Sequence, residues 1–572
     1  MEQIRLVVAV VLSILVFLIW DFFFVPDAPR PPARQETAGQ ESPAGNRAQP
    51  YSSEEASDHR SSPEIPSPQP SAESRPEAGP LPAETKIPPR QSIAATISTP
   101  LYSLDISTYG AGVTRFDLQK YREARPESSP RKSLIAAENP AGTLVFDLAG
   151  SDIPGLETGR YQSDLPAADI TVSRAPRTAT FSHRTSSGLV VEKQYTFYPD
   201  SYLIGLDVVV KNGSEQTIAG QPTVTLNRYF AGEGSRFVFE GPCAYVNRRL
   251  KKVKIKDIPE ESRVEGPLTW MAIENRYFMS SLIPEAGMEG AMALSVTEIT
   301  GNNLVTARHL GPSQSVPPDT MKTYHYNVFM GPKNIRILKQ IGFNLDKAVN
   351  FGWFDVVARP CLWLMNKVYQ IIPNYGVAII VLTLIIKLIF WPLGNKSYKS
   401  MAEMKKIQPL MAEVREKYKN DKKKMNEEMM ALYKTYKVNP VGGCLPMIVQ
   451  IPVFIAFYRM LYQAIELRHA PFMLWINDLS APERLFSFDI SIPLMQPPIG
   501  IPVMTIIMGA TMFLQQKLQP TPGDPAQAKM MMLMPVFLTV IFINFPSGLV
   551  LYFIVNNLVS IAQQHYVTRR NN

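Results

Sequence analysis

The sequence predicts a multi-pass α-helical membrane protein that carries an all-β sandwich domain outside the cytoplasm. Three observations lead there. An apolar run long enough to span a bilayer opens the chain at 6–25, alternating apolar and polar residues fill 92–334, and five apolar segments follow residue 374. A chain of 572 residues has room for several such units. The net charge of +8 suits anionic lipid or RNA-rich partners, provided the basic residues are concentrated in one place. The three cysteines, Cys243, Cys361 and Cys444, form no CxxC pair, which argues against a zinc site and a disulfide framework. No GxxxxGK[ST] loop is present, so the sequence offers no nucleotide-driven step of that kind.

The opening run, "LVVAVVLSILVFLIWDFFFV", competes with a cleaved signal peptide. Bulky residues rather than a small-residue cleavage site follow it, so residues 1–25 are expected to be an uncleaved anchor. Residues 26–91 are rich in Pro, Ser, Glu and Ala. That composition buries too little apolar surface to offset chain entropy, and predicts a disordered linker.

From 92 to 334 the period becomes two. "SYLIGLDVVV" places Tyr202, Ile204, Leu206, Val208 and Val210 on one face of a strand, and turn formers such as "KNGS" separate the runs. Residues 335–373 return to helical spacing: Phe354, Val357, Cys361, Leu364, Met365 and Val368 recur beside Arg359 and Lys367. This predicts an amphipathic helix lying in the membrane interface, with packing on the β domain as the competing arrangement.

The five apolar segments are 377–393 (within a helix at 374–393), 441–464, 499–518, 530–545 and 549–564. Loop 394–440 holds twelve Lys/Arg against six Asp/Glu and is therefore cytoplasmic. Counting crossings from it puts the β domain outside and both termini inside, the C-terminal end as a short basic tail at 565–572. Within the loop, Met401, Met404, Met411, Val414 and Tyr418, then Met425, Met429, Leu432 and Tyr436, fall at helical spacing around a break at Asn420–Asp421. They predict an antiparallel helical hairpin whose basic, methionine-bearing surface suits docking to a ribosome or targeting factor.

Lys387 is the exception in its segment, where a central charge costs roughly 2.5–3.5 kcal/mol. None of the five segments contains Asp or Glu, so no counter-ion is available within them. Snorkelling toward the cytoplasmic end is one explanation. A hydrated cavity open to the cytoplasm is the other, and polar residues on the neighbouring segments favour it: Thr383, Gln450, Gln515, Gln516, Asn544, Asn556 and Asn557. Arg459 lies toward the outer end and is expected at the interface. Pro446, Pro452, Pro502 and Pro535 would kink their helices. Methionines such as Met447, Met504, Met508 and Met512 suit a surface that accepts many apolar shapes, or serve as lipid-facing filler.

"NPVGGCLPMIVQIPVF", "APFMLWINDLS" and "FPSGLVLYFIVNNL" resemble the YidC membrane protein insertase family, in its Gram-negative form with a large periplasmic domain. The resemblance implies a five-helix insertase core after the anchor, six spans in all, in the cell inner membrane. It implies a positively charged hydrophilic groove, open to cytoplasm and lipid and closed outward, that inserts membrane proteins alone or with the Sec translocon and needs no cofactor or catalytic residue. Lys387 then corresponds to the groove cation, where Arg is more usual; Lys keeps the charge without the bidentate fork. Thr383, Gln450, Gln515 and Asn556 line the groove, and Phe454, Met508 and Phe553 contact the inserting segment. Phe553 stands where the family often has Tyr. Implied partners are nascent or newly made membrane proteins, the Sec translocon, membrane lipid, and a ribosome or signal-recognition factor at the hairpin. The tail is short beside the basic extension some members use on ribosomes. The β domain resembles the family's sandwich, itself similar to sugar-mutarotase folds.

Two other functions compete. A secondary transporter or channel would need titratable groups or ion ligands in the spans, and those carboxylates are missing. A membrane-anchored carbohydrate-active enzyme would need His183, His309 or His325 to meet a carboxylate.

Overall fold

The strand period seen in the sequence is carried into two facing sheets. The structure, a computed structural model, describes residues 93–571 apart from 136–141, 154, 166–167, 232–237, 300, 439–444, 489 and 520–524. The expected anchor and linker, 1–25 and 26–91, lie outside the described residues. The described residues form one compact unit.

The larger sheet has nine strands, running from Arg249–Lys252 through Gly241–Val246, Leu268–Glu274, Phe278–Pro284, Met321–Pro332, Leu203–Asn212, Leu189–Phe197 and Arg177–Arg184 to Gln162–Ser163. Its face is set by alternation: Tyr202, Ile204, Leu206, Val208 and Val210 are all buried. A six-stranded sheet built on Gly290–Ile299, Asn302–Leu310 and Ile218–Ala231 covers that face. Ring contacts bridge the layers, Phe146 to Tyr324 at 6.1 Å and His309 to Tyr326 at 5.6 Å. A five-stranded sheet that includes Ile93–Ser98 and Tyr102–Ser107 packs at one end. Buried Lys193 ties it in, donating to the carbonyls of Gly110, Ala111 and Leu144 at 2.8, 2.9 and 2.7 Å.

Helices then take over: α1 (Ile335–Ile341), α2 (Asp355–Ile371), α3 (Tyr375–Ile389), α4 (Trp391–Lys417), α5 (Lys422–Thr435), α6 (Leu445–Gln463), α7 (Val503–Leu518), α8 (Pro525–Phe542) and α9 (Ser547–Asn571). Asn334 starts α1 by accepting from the amides of Arg336 and Ile337. On α2 the inward residues are Ala358, Leu362 and Met365. The apolar side left in the open is Trp353, Val356, Trp363 and Ile371, a stripe rotated from the expected Phe354–Val357–Cys361 face.

Among the described residues no single helix is both long and apolar enough to cross a membrane by itself; α3 and α4 together pass, bent by 65° at Phe390. The expected uninterrupted segment 377–393 is therefore a broken one. Lengths account for part of this. The 15 residues of α3 extend about 23 Å at ~1.5 Å per residue, short of a ~30 Å core. The 25-residue α9 is long enough but carries Asn, Gln and Ser along its length.

Helices α4 and α5 pack against each other through Ile407, Met411, Met429 and Val438, with Met404, Val414, Met425 and Leu432 at the margin. These methionines form the hairpin's core. They do not form a methionine-bearing outer surface, because the same periodicity that makes each helix amphipathic turns those faces toward one another. What remains outside has more Lys than Asp and Glu, and Met430 and Tyr436 are exposed among them.

Candidate functional site

The polar residues after Asn374 converge on one face of α9, at positions 552, 556, 560 and 563, which helical periodicity stacks in a row. Lys387 on α3 is half-buried, and its Nζ donates to Ser560 Oγ at 2.8 Å. Ser560 Oγ donates in turn to the Asn556 carbonyl at 2.7 Å and is hydrogen-bonded to Tyr398 on α4. Gln450 Nε2 on α6 donates to Asn556 Oδ1 at 2.8 Å, and Gln450 is also hydrogen-bonded to Tyr552. One turn past Ser560, Gln563 Nε2 reaches the Trp391 carbonyl and Asn395 Oδ1, both at 2.9 Å, across the bend between α3 and α4. No carboxylate forms an ion pair with Lys387 among the described residues.

Toward the opposite end of α9 this polar row gives way to rings. Phe454 lies 5.1 Å from Phe553 and 6.4 Å from Tyr552, Phe457 lies 4.7 Å from Tyr552, and Phe542 lies 4.8 Å from Phe553. Tyr458 and Phe542 both meet Phe545, at 5.7 and 4.7 Å. Rings from α6, α8 and α9 thus meet between the helices at that level, while the polar row runs toward the start of α4.

Three expected residues join this arrangement directly: Lys387, Gln450 and Asn556. Phe454 and Phe553 meet in the aromatic cluster. Thr383 is buried and spends its hydroxyl on its own helix, donating to the Ile379 carbonyl at 2.7 Å. Met508 is fully buried on α7, where α7 and α8 come so close that a Cβ on Gly509 would stand 2.2 Å from Thr539 Oγ1. Gln515 is half-buried on α7, beyond Thr511, which accepts from Asn557 at 3.2 Å. Ser560, Gln563 and Tyr398 were not anticipated. The i, i+4 spacing of Asn556 and Ser560 was the available signal.

Asn544 belongs elsewhere, fixing a loop at the far end of the bundle. Arg459 is also at that end, donating to the Phe351 carbonyl at 3.3 Å. There the β domain is docked. Arg276 donates to the Tyr462 carbonyl at 2.6 Å and lies over its ring, and Arg468 donates to the Arg122 carbonyl at 2.6 Å. Glu466 is half-buried between Asn334 and Asn366, whose amides reach it at 3.1 and 3.5 Å, and desolvation holds its carboxyl above the usual range.

The three histidines do not converge. His325 Nδ1 meets Asp207 Oδ1 at 2.7 Å on an exposed strand face, His183 faces the Arg160 carbonyl, and His309 is buried between the sheets, where burial lowers it to about 4.

Residues 94–364 match the family described as "YidC periplasmic domain", and residues 367–572 the family described as "60Kd inner membrane protein". The chain is 38% identical to the membrane protein insertase YidC of Syntrophus aciditrophicus (strain SB), over 99% of both chains. It is 41% identical to that of Syntrophobacter fumaroxidans (strain DSM 10017 / MPOB), over 84% of this chain and 87% of the relative. Among solved structures, an active YidC insertase with its first transmembrane domain resolved is similar at 19% identity, over 83% of this chain and 95% of that one, with a TM-score of 0.37. With a periplasmic β-rich domain, a helical C-terminal region and relatives this close along its whole length, the chain belongs to the YidC membrane protein insertase family, a family of inner-membrane proteins.

Proposed function

We propose that the protein inserts and folds newly made membrane proteins in the inner membrane, using the polar row on α9 as the floor of a hydrated groove open to the cytoplasm. The observation that carries this is the convergence of Lys387 from α3 and Gln450 from α6 on one face of α9, where they meet Ser560 and Asn556, with an aromatic cluster farther along the same helix. In this reading the chain crosses the membrane six times: the anchor, α3 with its bend into α4, α6, α7, α8 and α9. Both termini and the α4–α5 hairpin are cytoplasmic, and the β domain is periplasmic.

The mechanism follows from desolvation. A hydrophilic segment of a client must leave water to cross a ~30 Å core. A groove wet to half that depth shortens the dry path. Lys387 supplies an unpaired cation there that attracts acidic residues of the client transiently; its Ser560 partner is neutral and leaves the charge uncompensated. Phe454 and Phe553 offer an apolar wall along which the client's own helix slides into lipid. Burial of that helix at ~25 cal/mol per Å² drives its release without nucleotide. Thr383, Gln515 and Met508 complete the groove wall on α3 and α7. The hairpin's basic outer face is the first surface for a ribosome or targeting factor, and the Sec translocon is a further partner.

Purified protein in liposomes tests this directly. It should insert a short single-span client with an acidic translocated tail, and Lys387→Glu should abolish most of that insertion. Equal insertion by liposomes without the protein would refute the reading.

A further inference from the structure

A loop at the outer end of the bundle presents apolar side chains where a soluble loop has no reason to place them. The chain leaves α6, forms a turn at Met473 and Leu474, then a two-stranded ribbon, Leu485–Phe488 with Ile499–Ile501, before α7 begins. Leu474 is 78% exposed, Phe486 68% and Leu494 77%. All three have positive φ, at 54°, 58° and 68°. That left-handed conformation favours Gly or Asn, because a Cβ crowds the following carbonyl. A turn, or an irregular strand position such as Phe486, that only faced water would be filled by those residues. Here Leu and Phe occupy it, and Phe488, Ile490 and Ile492 between them are exposed as well.

The polar side of the loop is clamped to the bundle. Arg484 donates to the carbonyls of Pro498 at 3.1 Å and Ile543 at 2.8 Å. Asn544 accepts from the Gln496 amide at 2.9 Å and donates to the Leu494 carbonyl at 2.7 Å. Buried Glu483 takes hydrogen bonds from Trp475 Nε1 and from the Met504 amide in the first turn of α7. Backbone polar groups are thus held against the helix ends while the apolar side chains are turned out.

We infer that this loop, residues 473–494, is a second interfacial anchor that inserts its apolar tips into the outer leaflet of the bilayer, at the boundary of headgroups and acyl chains. Continuity identifies the occupant. Ile501, half a turn before α7, is exposed, and so are Ile506, Ile507, Phe513 and Leu514 along α7. The exposed apolar residues of α7 therefore continue past its first turn to Ile501, which pairs with Leu485 in the ribbon. At the same end of the bundle, Trp353 in the turn before α2 and Trp363 on its open side stand out in the same way. Residues 473–494 hold no Lys, and their one Arg is engaged inward, so the attachment is apolar and independent of anionic lipid.

This inference rests on the reading of α6 to α9 as membrane spans, and the test separates the two. The full-length protein, with Cys243, Cys361 and Cys444 replaced by Ala, receives one environment-sensitive fluorophore at Phe486→Cys, Leu494→Cys, Val536→Cys on α8, or Glu285→Cys in an exposed turn of the β domain. Each is reconstituted in vesicles of zwitterionic lipid, with and without anionic lipid, carrying shallow nitroxide lipids. The expected result is several-fold stronger nitroxide quenching at Phe486→Cys and Leu494→Cys than at Glu285→Cys. Protection of both from aqueous iodide should be unchanged by anionic lipid. If Val536→Cys is quenched by nitroxide while both loop positions are quenched by iodide like Glu285→Cys, the loop is not an anchor and the spans stand. If the loop positions escape both quenchers, a protein surface covers them and the lipid assignment is overturned. If Val536→Cys itself escapes nitroxide, the span reading fails and the anchor fails with it.

Discussion

Lys387 and Glu274 show two ways in which one charge is kept inside this protein. Lys387 has a neutral partner, Ser560, and in the proposed mechanism it stays available to a client. Charge rather than shape should then govern activity: Lys387→Arg should insert clients nearly as well, Lys387→Leu should be intermediate, and Lys387→Glu should impair clients with acidic translocated tails most. Ser560→Ala removes one hydrogen bond of about 0.5–1.5 kcal/mol and should weaken insertion less than Lys387→Leu. Equal insertion of acidic-tailed clients by Lys387→Glu and Lys387→Leu would count against the electrostatic role. Glu274 is instead fully buried and paired on both sides, with Lys252 Nζ at 2.8 Å and Lys333 Nζ at 2.8 Å. Burial alone would push its carboxyl up; the Lys333 and Lys252 ammonium groups outweigh that and hold it below the usual range. A carboxyl with a depressed folded-state pKa stabilises the fold above its unfolded value near 4.5, and that stabilisation is lost as pH falls through the folded value. Glu274→Gln should therefore cost the β domain about 3–5 kcal/mol at pH 7, and the gap from the parent should narrow in acid. Thermal unfolding followed by near-ultraviolet circular dichroism at pH 7 and pH 4 measures both.

Elements were legible in the sequence where a period is imposed by one buried face. The alternation at 202–210 specifies a strand and its inward side, and the strand has that side buried. The heptad-like methionines at 404–432 specify two helices, but periodicity alone does not say whether an apolar face meets its partner helix or a docking protein. Packing in the structure turns it inward. The segment at 499–518 begins as a strand, Ile499–Ile501, and becomes helix only at Val503, because hydropathy registers contact with lipid and is blind to backbone conformation. Partners such as Lys387 and Ser560, 173 residues apart, are set by helix packing and leave no local trace. Two outcomes belong at this scale. Replacing 396–437 with a short neutral linker should abolish client capture in a crosslinking assay while the remaining helices still assemble. Gly376→Val should destabilise the outer end of α3, since even a Cβ there would stand 2.0 Å from the Phe472 ring.

For the whole molecule, the β domain and the helical region meet through polar contacts at the end of the bundle away from the hairpin. Arg276 and Arg468 reach backbone carbonyls, and Asn334 reaches Glu466. The polar row on α9 and the aromatic cluster are built from residues after Phe354. Joining the anchor directly to 350–572 should accordingly preserve complementation of an insertase-deficient strain at normal membrane levels. Its thermal stability should fall, because the contacts of Arg276, Arg468 and Asn334 across this junction are lost. Complete failure to complement would assign the β domain a direct part in insertion. The proposed groove requires above all that water reach Lys387. With Cys361 and Cys444 replaced, Lys387→Cys and, separately, Gln450→Cys should react with a small membrane-impermeant thiol reagent added from the cytoplasmic side, and far more slowly when it is added from the periplasmic side. If both cysteines stay unmodified from the cytoplasm while the protein remains folded in the membrane, no hydrated groove exists and Lys387 is a snorkelling residue alone.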